Sequence, residues 1–140
     1  MSAIVIDASV AVKWFLPEIH AEAAGRVLKS RRKLLAPDLI WAEIGNTLWK
    51  KNLRREITLK ESHEILQDFL RFPLHICSSK ALLNTAWSLA IQHNISVYDS
   101  LYLALAIGSD CCLITADRKF YESLRGKAIG KKVVWVEDAK

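Results

Sequence analysis

The chain has few cysteines, no long apolar run and no clustered histidines, and each shortage removes a class of protein. Its three cysteines, Cys77, Cys111 and Cys112, cannot all pair, and none lies in a C-x-x-C or Cys/His spacing that would suggest zinc. They read as small core hydrophobes of a reducing compartment. The longest apolar run, Leu101 to Gly108, falls far short of the roughly 20 residues that span a bilayer. The N-terminus lacks the basic region and apolar segment of a signal peptide, so a cytoplasmic location is expected. His20, His63, His75 and His93 fall in or beside four different predicted elements, which leaves no pair for acid–base catalysis without a metal. No repeat, low-complexity tract or linker interrupts the 140 residues, and a single domain over residues 1–140 is expected.

Acidic residues are outnumbered by basic ones, 15 against 20, for a formal charge of +5. That balance favours a polyanionic partner such as nucleic acid, although it speaks to association rather than to chemistry.

What the chain does contain is a regular alternation of strand and helix signals. Ile4-Val5-Ile6-Asp7-Ala8-Ser9 drives an unbroken β-branched run into a carboxylate. Such a run reads as a strand covered on both faces, with Asp7 at its carboxyl end, the edge where open α/β sheets place their ligands. The plainer use of Asp7 or Ser9 is to cap a helix predicted from Val10 to Leu16. A helix follows from Glu18 to Lys33, then a short strand from Lys33 to Ala36. Pro37 is predicted to begin a helix reaching about Asn52, with Ile40, Ile44 and Leu48 along one side. Thr58-x-x-Glu61 is a capping-box signature opening a helix striped by Ile65, Leu66, Phe69 and Leu70. Leu74 to Cys77 reads as a strand. Ser79 to His93 reads as a helix turning Leu82, Leu83, Ala86, Leu89 and Ala90 inward, stopped by Asn94. Ser96 opens the most apolar helix, Val97 to Ile107, closed by Gly108. Cys112 to Thr115 is a strand, Asp117 to Leu124 a short helix, and Val133 to Val136 a last strand. The predicted fold is a three-layer α/β/α arrangement with a mostly parallel central sheet of four to five strands.

Four acids share one predicted location. Asp7 and Asp117 lie at the carboxyl ends of two strands, and Glu43 and Asp99 lie in the opening turns of helices leaving the same edge. Singly, each has a bland role as a cap or a solvated helix-border residue. Together they are costly, because like charges about 4 Å apart repel by roughly 4 kcal/mol per pair at an effective dielectric near 20. A hard divalent ion removes the objection, since Mg²⁺ or Mn²⁺ prefers oxygen ligands and keeps several waters.

The segments Ile4-Val5-Ile6-Asp7-Ala8-Ser9, Pro37-Asp38-Leu39-Ile40-Trp41-Ala42-Glu43-Ile44-Gly45-Asn46, Tyr98-Asp99-Ser100-Leu101-Tyr102 and Leu113-Ile114-Thr115-Ala116-Asp117-Arg118, in that order, resemble a PIN domain. Within that family the chain is most similar to VapC-type ribonuclease toxins of prokaryotic toxin–antitoxin pairs, and the likeness spans nearly its whole length. The resemblance implies that Asp7, Glu43, Asp99 and Asp117 form an acidic quartet binding Mg²⁺ or Mn²⁺. It makes Ser9 and Thr115 supporting hydroxyls and puts Asn46 in the motif of the second acid. The implied activity is hydrolysis of RNA phosphodiesters to a 5′-phosphate and a 3′-hydroxyl. In the roles we assign, Asp7 and Asp99 hold the principal ion, Glu43 orients the attacking water and Asp117 completes the outer side. A homodimer and a cognate antitoxin protein are the implied partners.

Among the basic clusters, Arg118 and Lys119 have the best claim on RNA because they adjoin Asp117, ahead of Arg31-Arg32-Lys33, Lys50-Lys51 with Arg54-Arg55, and Lys131-Lys132. Trp14-Phe15-Leu16 is the expected apolar strip for the antitoxin segment, although core packing is the commoner fate of such residues. Three rival readings remain at this stage. They are a phosphotransferase or receiver-type domain, a PIN-like module that binds RNA or protein without cutting, and a PIN nuclease with a housekeeping role. Against the first, Asp7-Ala8-Ser9 lacks the second acid of an Asp-x-Asp motif.

Overall fold

The computed structural model describes residues 2–140. Five strands, β1 (Ala3–Ile6), β2 (Lys33–Pro37), β3 (His75–Cys77), β4 (Leu113–Thr115) and β5 (Val133–Trp135), form one sheet in the order β3-β2-β1-β4-β5. Every ladder is parallel. The helices are α1 (Ala8–Ala11), continued by a turn of 3-10 helix over Val12–Trp14, α2 (Ala21–Lys29), α3 (Leu39–Leu53), α4 (Leu59–Leu70), α5 (Ser79–His93), α6 (Val97–Gly108) and α7 (Arg118–Leu124).

The order of the strands fixes the layers. From β1 the chain steps outward to β2 and β3, then returns past β1 to β4 and β5. Right-handed crossovers therefore put α1 to α4 on one face of the sheet and α5 to α7 on the other. β1 is buried from Ile4 to Ile6, as its β-branched run requires of a central parallel strand. α6 lies across β1, β2 and β4 and is buried from Ser100 through Ala106.

Several boundaries differ from expectation for local reasons. The first helix starts straight after Asp7, at Ala8, and tightens into a 3-10 turn instead of running on as an α-helix to Leu16. Pro37 closes β2 at its register with Cys77 rather than opening α3, because its fixed φ suits an extended strand end equally well. α2 is shorter than predicted, since His20 adopts a left-handed backbone (φ 66°) that delays the helix to Ala21. On α5 Leu83 points outward, 48% exposed, while Ala86 and Leu89 are buried. Leu70 likewise leaves the α4 stripe, 54% exposed. Elsewhere the local signals hold. The Thr58/Glu61 capping box makes both its hydrogen bonds, and Asn94 ends α5 in the left-handed region at φ 53°.

The Trp14-Phe15-Leu16 strip packs against the core, with Leu16 buried and Trp14 and Phe15 partly buried. The Trp14 indole stacks on Phe72 at 4.8 Å between centroids and donates its N–H to the Ala24 carbonyl at 2.9 Å. Phe15 meets Phe69 edge-on at 5.9 Å, and Leu16 is buried. Exposed apolar surface lies instead at Trp49, Leu53 and Leu59 and along the outer side of α5.

Candidate active site

β1 has β2 on one side and β4 on the other, and the crossovers β1→β2 and β4→β5 run outward in opposite directions. This is the topological switch of the sheet, where a crevice opens beyond the carboxyl ends of the strands. The Asp7 N–H donates to the Ile114 carbonyl at 3.1 Å, which brings the next residue of β4, Thr115, level with the Asp7 side chain. Thr115 and Ser9 both donate to Asp7 Oδ2, at 2.7 Å and 2.8 Å. The Ser9 hydroxyl in turn accepts the Ala116 N–H at 3.0 Å, and Thr115 Oγ1 accepts the Asp117 N–H at 3.0 Å. Asp7 occupies the N-cap position of α1 but its side chain makes no cap hydrogen bond. Its carboxylate is aimed by hydroxyls across the β1–β4 seam, so the capping account of Asp7 fails.

The remaining three acids converge on the same crevice from separate elements. Glu43 sits in the second turn of α3, and its Oε1 accepts the Tyr102 hydroxyl at 2.6 Å. Thr47, which might have held Glu43 from one turn along α3, bonds only the Glu43 backbone carbonyl, at 2.9 Å. Asp99 stands in the first turn of α6, where the Ser96 hydroxyl accepts its N–H at 3.0 Å. Asp117 caps α7 through Oδ1 to the Phe120 N–H at 3.2 Å, so its bland role and its place at the crevice coexist. Asn46 is exposed, three residues beyond Glu43 on α3.

The carboxyls of Asp7, Glu43 and Asp99 are each raised in part by the charge of a neighbouring acid. Burial raises the Asp7 carboxyl above its usual range; the Thr115 and Ser9 hydroxyls oppose this and the charge of Asp117 adds to it. Glu43 is pushed up to about 7 by burial, against the Tyr102 hydroxyl and with help from Asp7, Asp99 and Asp117. Asp99 is pushed up to about 6 by burial and by the charges of Asp7 and Asp117, opposed by Ser96. Among the described residues, no three His, Cys, Asp or Glu side chains are drawn close enough to form a ready metal cage. The donor set nonetheless suits a hard divalent ion. Mg²⁺ takes only one or two carboxylates directly and reaches others through its own waters, so a loose ring of carboxyl oxygens is enough.

Tyr102 is the residue that sequence reasoning passed over. It is 1% exposed on an otherwise apolar helix, and a buried phenol needs an acceptor. Its presence three residues beyond Asp99, the one other side chain of that buried run with a polar tip after Ser100, was the available signal. Burial first, then the neighbouring acids, raises its own titration far out of range, so it stays a donor.

Of the two basic residues expected at the substrate, Lys119 shares a cleft of about 300 Å³ with Asp99, Asp117 and Ser96. Arg118 is turned away. Its guanidinium lies 3.9 Å over the Trp135 ring and reaches Glu122 at 3.4 Å. The four histidines lie apart, and His20 is engaged by Glu137 at 2.6 Å.

A parallel α/β sheet with an acidic crevice at its switch point defines the class of this protein. Comparison with known proteins then names the family. The PIN domain family matches residues 4–123. Ribonuclease VapC3 of Pyrobaculum aerophilum is 33% identical over 121 residues, covering 85% of this chain and 92% of the relative. The crystal structure of PAE2754 from Pyrobaculum aerophilum superposes with a TM-score of 0.71 at 23% identity, over 97% of this chain and 85% of that one. A toxin–antitoxin complex from Klebsiella pneumoniae does so with a TM-score of 0.65 at 15% identity, over 97% and 99%. The chain belongs to the PIN-domain family.

Proposed function

We propose that this chain is a divalent-metal-dependent endoribonuclease that hydrolyses RNA phosphodiester bonds and serves as the toxin of a toxin–antitoxin pair. The observation that carries the reading is the convergence of Asp7, Glu43, Asp99 and Asp117 on one crevice, where burial and one another's charge raise the carboxyls of the first three. The name of the curated relative VapC3, a ribonuclease, supports the substrate. The toxin–antitoxin complex that shares the fold supports the biological setting.

Asp7 and Asp99 would hold Mg²⁺ or Mn²⁺ directly, and Glu43 and Asp117 through water. The chemistry such an ion supplies is electrophilic stabilisation of a phosphodiester and greater acidity of nearby water. Glu43, which shares the crevice with Asp7, Asp99 and Asp117, is the group placed to accept a proton from the attacking water. Tyr102 fixes which carboxyl oxygen does so, because Oε1 is occupied by the phenol. Ser9 and Thr115 hold Asp7 in one orientation, as the partners of metal-binding carboxylates commonly do. Lys119 offers a counter-charge to the scissile phosphate from the other wall. Attack by water breaks the bond to the 3′-oxygen and leaves a 5′-phosphate and a 3′-hydroxyl.

The reading also includes a homodimer and work in the cytoplasm. Among the described residues no helix is long and apolar enough to cross a membrane. Leu83, Trp87 and Ile91 recur one turn apart on α5, exposed by 48%, 59% and 67%. That helix carries no charge from Ala81 to Gln92. In a chain of net charge +5, this is the face on which two copies repel least.

The test is cleavage of RNA with Mn²⁺ or Mg²⁺, with and without EDTA, comparing wild type with Asp7→Asn and Asp99→Asn. Metal-dependent cleavage lost in both variants, together with growth arrest on expression that Asp7→Asn relieves, is the expected result. RNA binding without cleavage under any divalent ion would leave a non-cutting module and reject the enzyme. Sedimentation of Trp87→Lys checks the dimer surface, and an unaltered dimer rejects it.

A further inference from the structure

Beside the acid crevice lies a second cleft, of about 300 Å³, which the proposed chemistry leaves unused. Ser9 and Ala116 line it, and these are the residues joined by the hydrogen bond that steadies Asp7. The two hollows therefore share a wall. From that wall the cleft runs down α3 past Thr47, Lys50, Lys51 and Arg54, with Lys13 and Glu18 opposite. These α3 positions follow Glu43 at intervals of three and four residues, so they continue its face of the helix. At about 1.5 Å per residue, Lys50 stands roughly 10 Å and Arg54 roughly 16 Å along the axis from Glu43. A single strand leaving the crevice would meet them in succession.

Glu18 is the one acid in this wall. It binds Lys13 at 3.4 Å through Oε1 and Lys51 through Oε2. Burial alone would raise its pKa, but the Lys51 hydrogen bond and the charges of Lys13 and Lys51 outweigh it and lower the carboxyl. Lys50 and Arg54 take part in none of the ion pairs found among the described residues, while Lys51 is further tied to Glu56 at 3.3 Å. A carboxylate gripped by two lysines in a cationic cleft has the contacts a phosphate would make there.

We propose that this cleft binds the RNA phosphates flanking the scissile bond, through Lys13, Lys50, Lys51 and Arg54, and that Glu18 is a built-in stand-in for phosphate that RNA must displace. The proposal rests on the ribonuclease reading and deepens it by assigning a path to the substrate strand. Glu18 keeps the two lysines ordered and mutually tolerated in the free protein. It also weakens RNA binding by competing for them.

The test is fluorescence anisotropy of a labelled short single-stranded RNA over a salt series, in EDTA so that nothing is cut. Lys50→Gln with Arg54→Gln should flatten the slope of log affinity against log salt by about 1.4, from roughly 0.7 per phosphate contact on a single strand. Glu18→Gln, nearly isosteric, should tighten binding by about fivefold, the effect of removing one nearby negative charge in a water-like medium. Lys60→Gln, on exposed α4, should match wild type. If wild type binds and cleaves RNA while the double variant keeps the full slope, the cleft is not the path. Unchanged or weaker binding in Glu18→Gln overturns the stand-in. Equal loss of affinity for a polyglutamate peptide, with RNA unaffected, would assign the cleft to an acidic protein instead. Wild type that neither binds nor cuts RNA would remove the ribonuclease reading and this proposal with it.

Discussion

Metal-free protein should lose stability as the pH rises from about 4 to about 8, the reverse of what a set of salt-bridged carboxylates would do. Asp7, Glu43 and Asp99 all have raised folded-state values, so the folded chain holds protons that the unfolded chain has already released. Their contribution is complete below the ordinary values of 3.8 and 4.5 and is lost as pH passes about 6 and then about 7. For Glu43, the rise from 4.5 to about 7 corresponds to about 3 kcal/mol in a dry site. The crevice is partly open to water, so about half of that survives screening. With Asp99 sharing the same repulsion, the pair is worth about 2 kcal/mol together. A chain of this size should melt roughly 6–10 °C lower at the alkaline end. Glu18, whose pKa is lowered, acts in the opposite sense but only at the acid extreme, as pH falls through its folded value. The assay is thermal melting in EDTA across the pH range, wild type against Glu43→Gln with Asp99→Asn. The double variant should lose most of the slope. Mn²⁺ at a hundred times its dissociation constant should then raise wild-type stability by about 2.7 kcal/mol near pH 8, and Asp7→Asn should respond weakly. Parallel EDTA curves for wild type and the double variant would refute the reasoning, as would an equal Mn²⁺ response in Asp7→Asn.

Three further expectations are narrower. Tyr102→Phe removes the donor to Glu43, a hydrogen bond to a charged group worth about 1.5–3 kcal/mol; kcat with Mn²⁺ at neutral pH should fall at least tenfold, with the circular dichroism spectrum unchanged. Ser9→Ala frees one side of Asp7 and leaves the Ala116 N–H without its acceptor; titration calorimetry should find Mn²⁺ affinity lower by about 10- to 100-fold. At Gly130 an added Cβ would stand 2.2 Å from the Leu124 carbonyl oxygen. Gly130→Ala should therefore cost about 1–3 kcal/mol, read as a lower denaturation midpoint at constant m-value.

The fold was legible wherever one residue type has one physical use. A β-branched run ending in Asp7 can be little else than a central strand, and the Thr58/Glu61 pair announces its helix start. Asn94 announces a helix end in the same way. Pro37 misled because a fixed φ serves a strand end and a first helical turn alike. For Trp14 and Phe15 core packing was the commoner expectation, but their partners Phe69 and Phe72, more than fifty residues away, are what no local pattern reveals. The grouping of the four acids was readable from topology, since strand ends and helix starts meet at one edge of a parallel sheet. Their wiring was not. The Tyr102 bond to Glu43 depends on how α6 crosses the sheet toward α3. Arg118 is drawn aside because its planar guanidinium stacks over the face of Trp135, on a later strand that no local pattern places beside it.

The seam between β1 and β4 also has a bearing on how the protein is made. Asp7 is made before its hydroxyl partner Thr115, which lies 108 positions later, and Asp117 follows that. A nascent chain therefore carries isolated acids until β4 has cleared the ribosome and docked beside β1. The site stays incomplete for as long as the segment carrying β4 has yet to reach its place in the sheet.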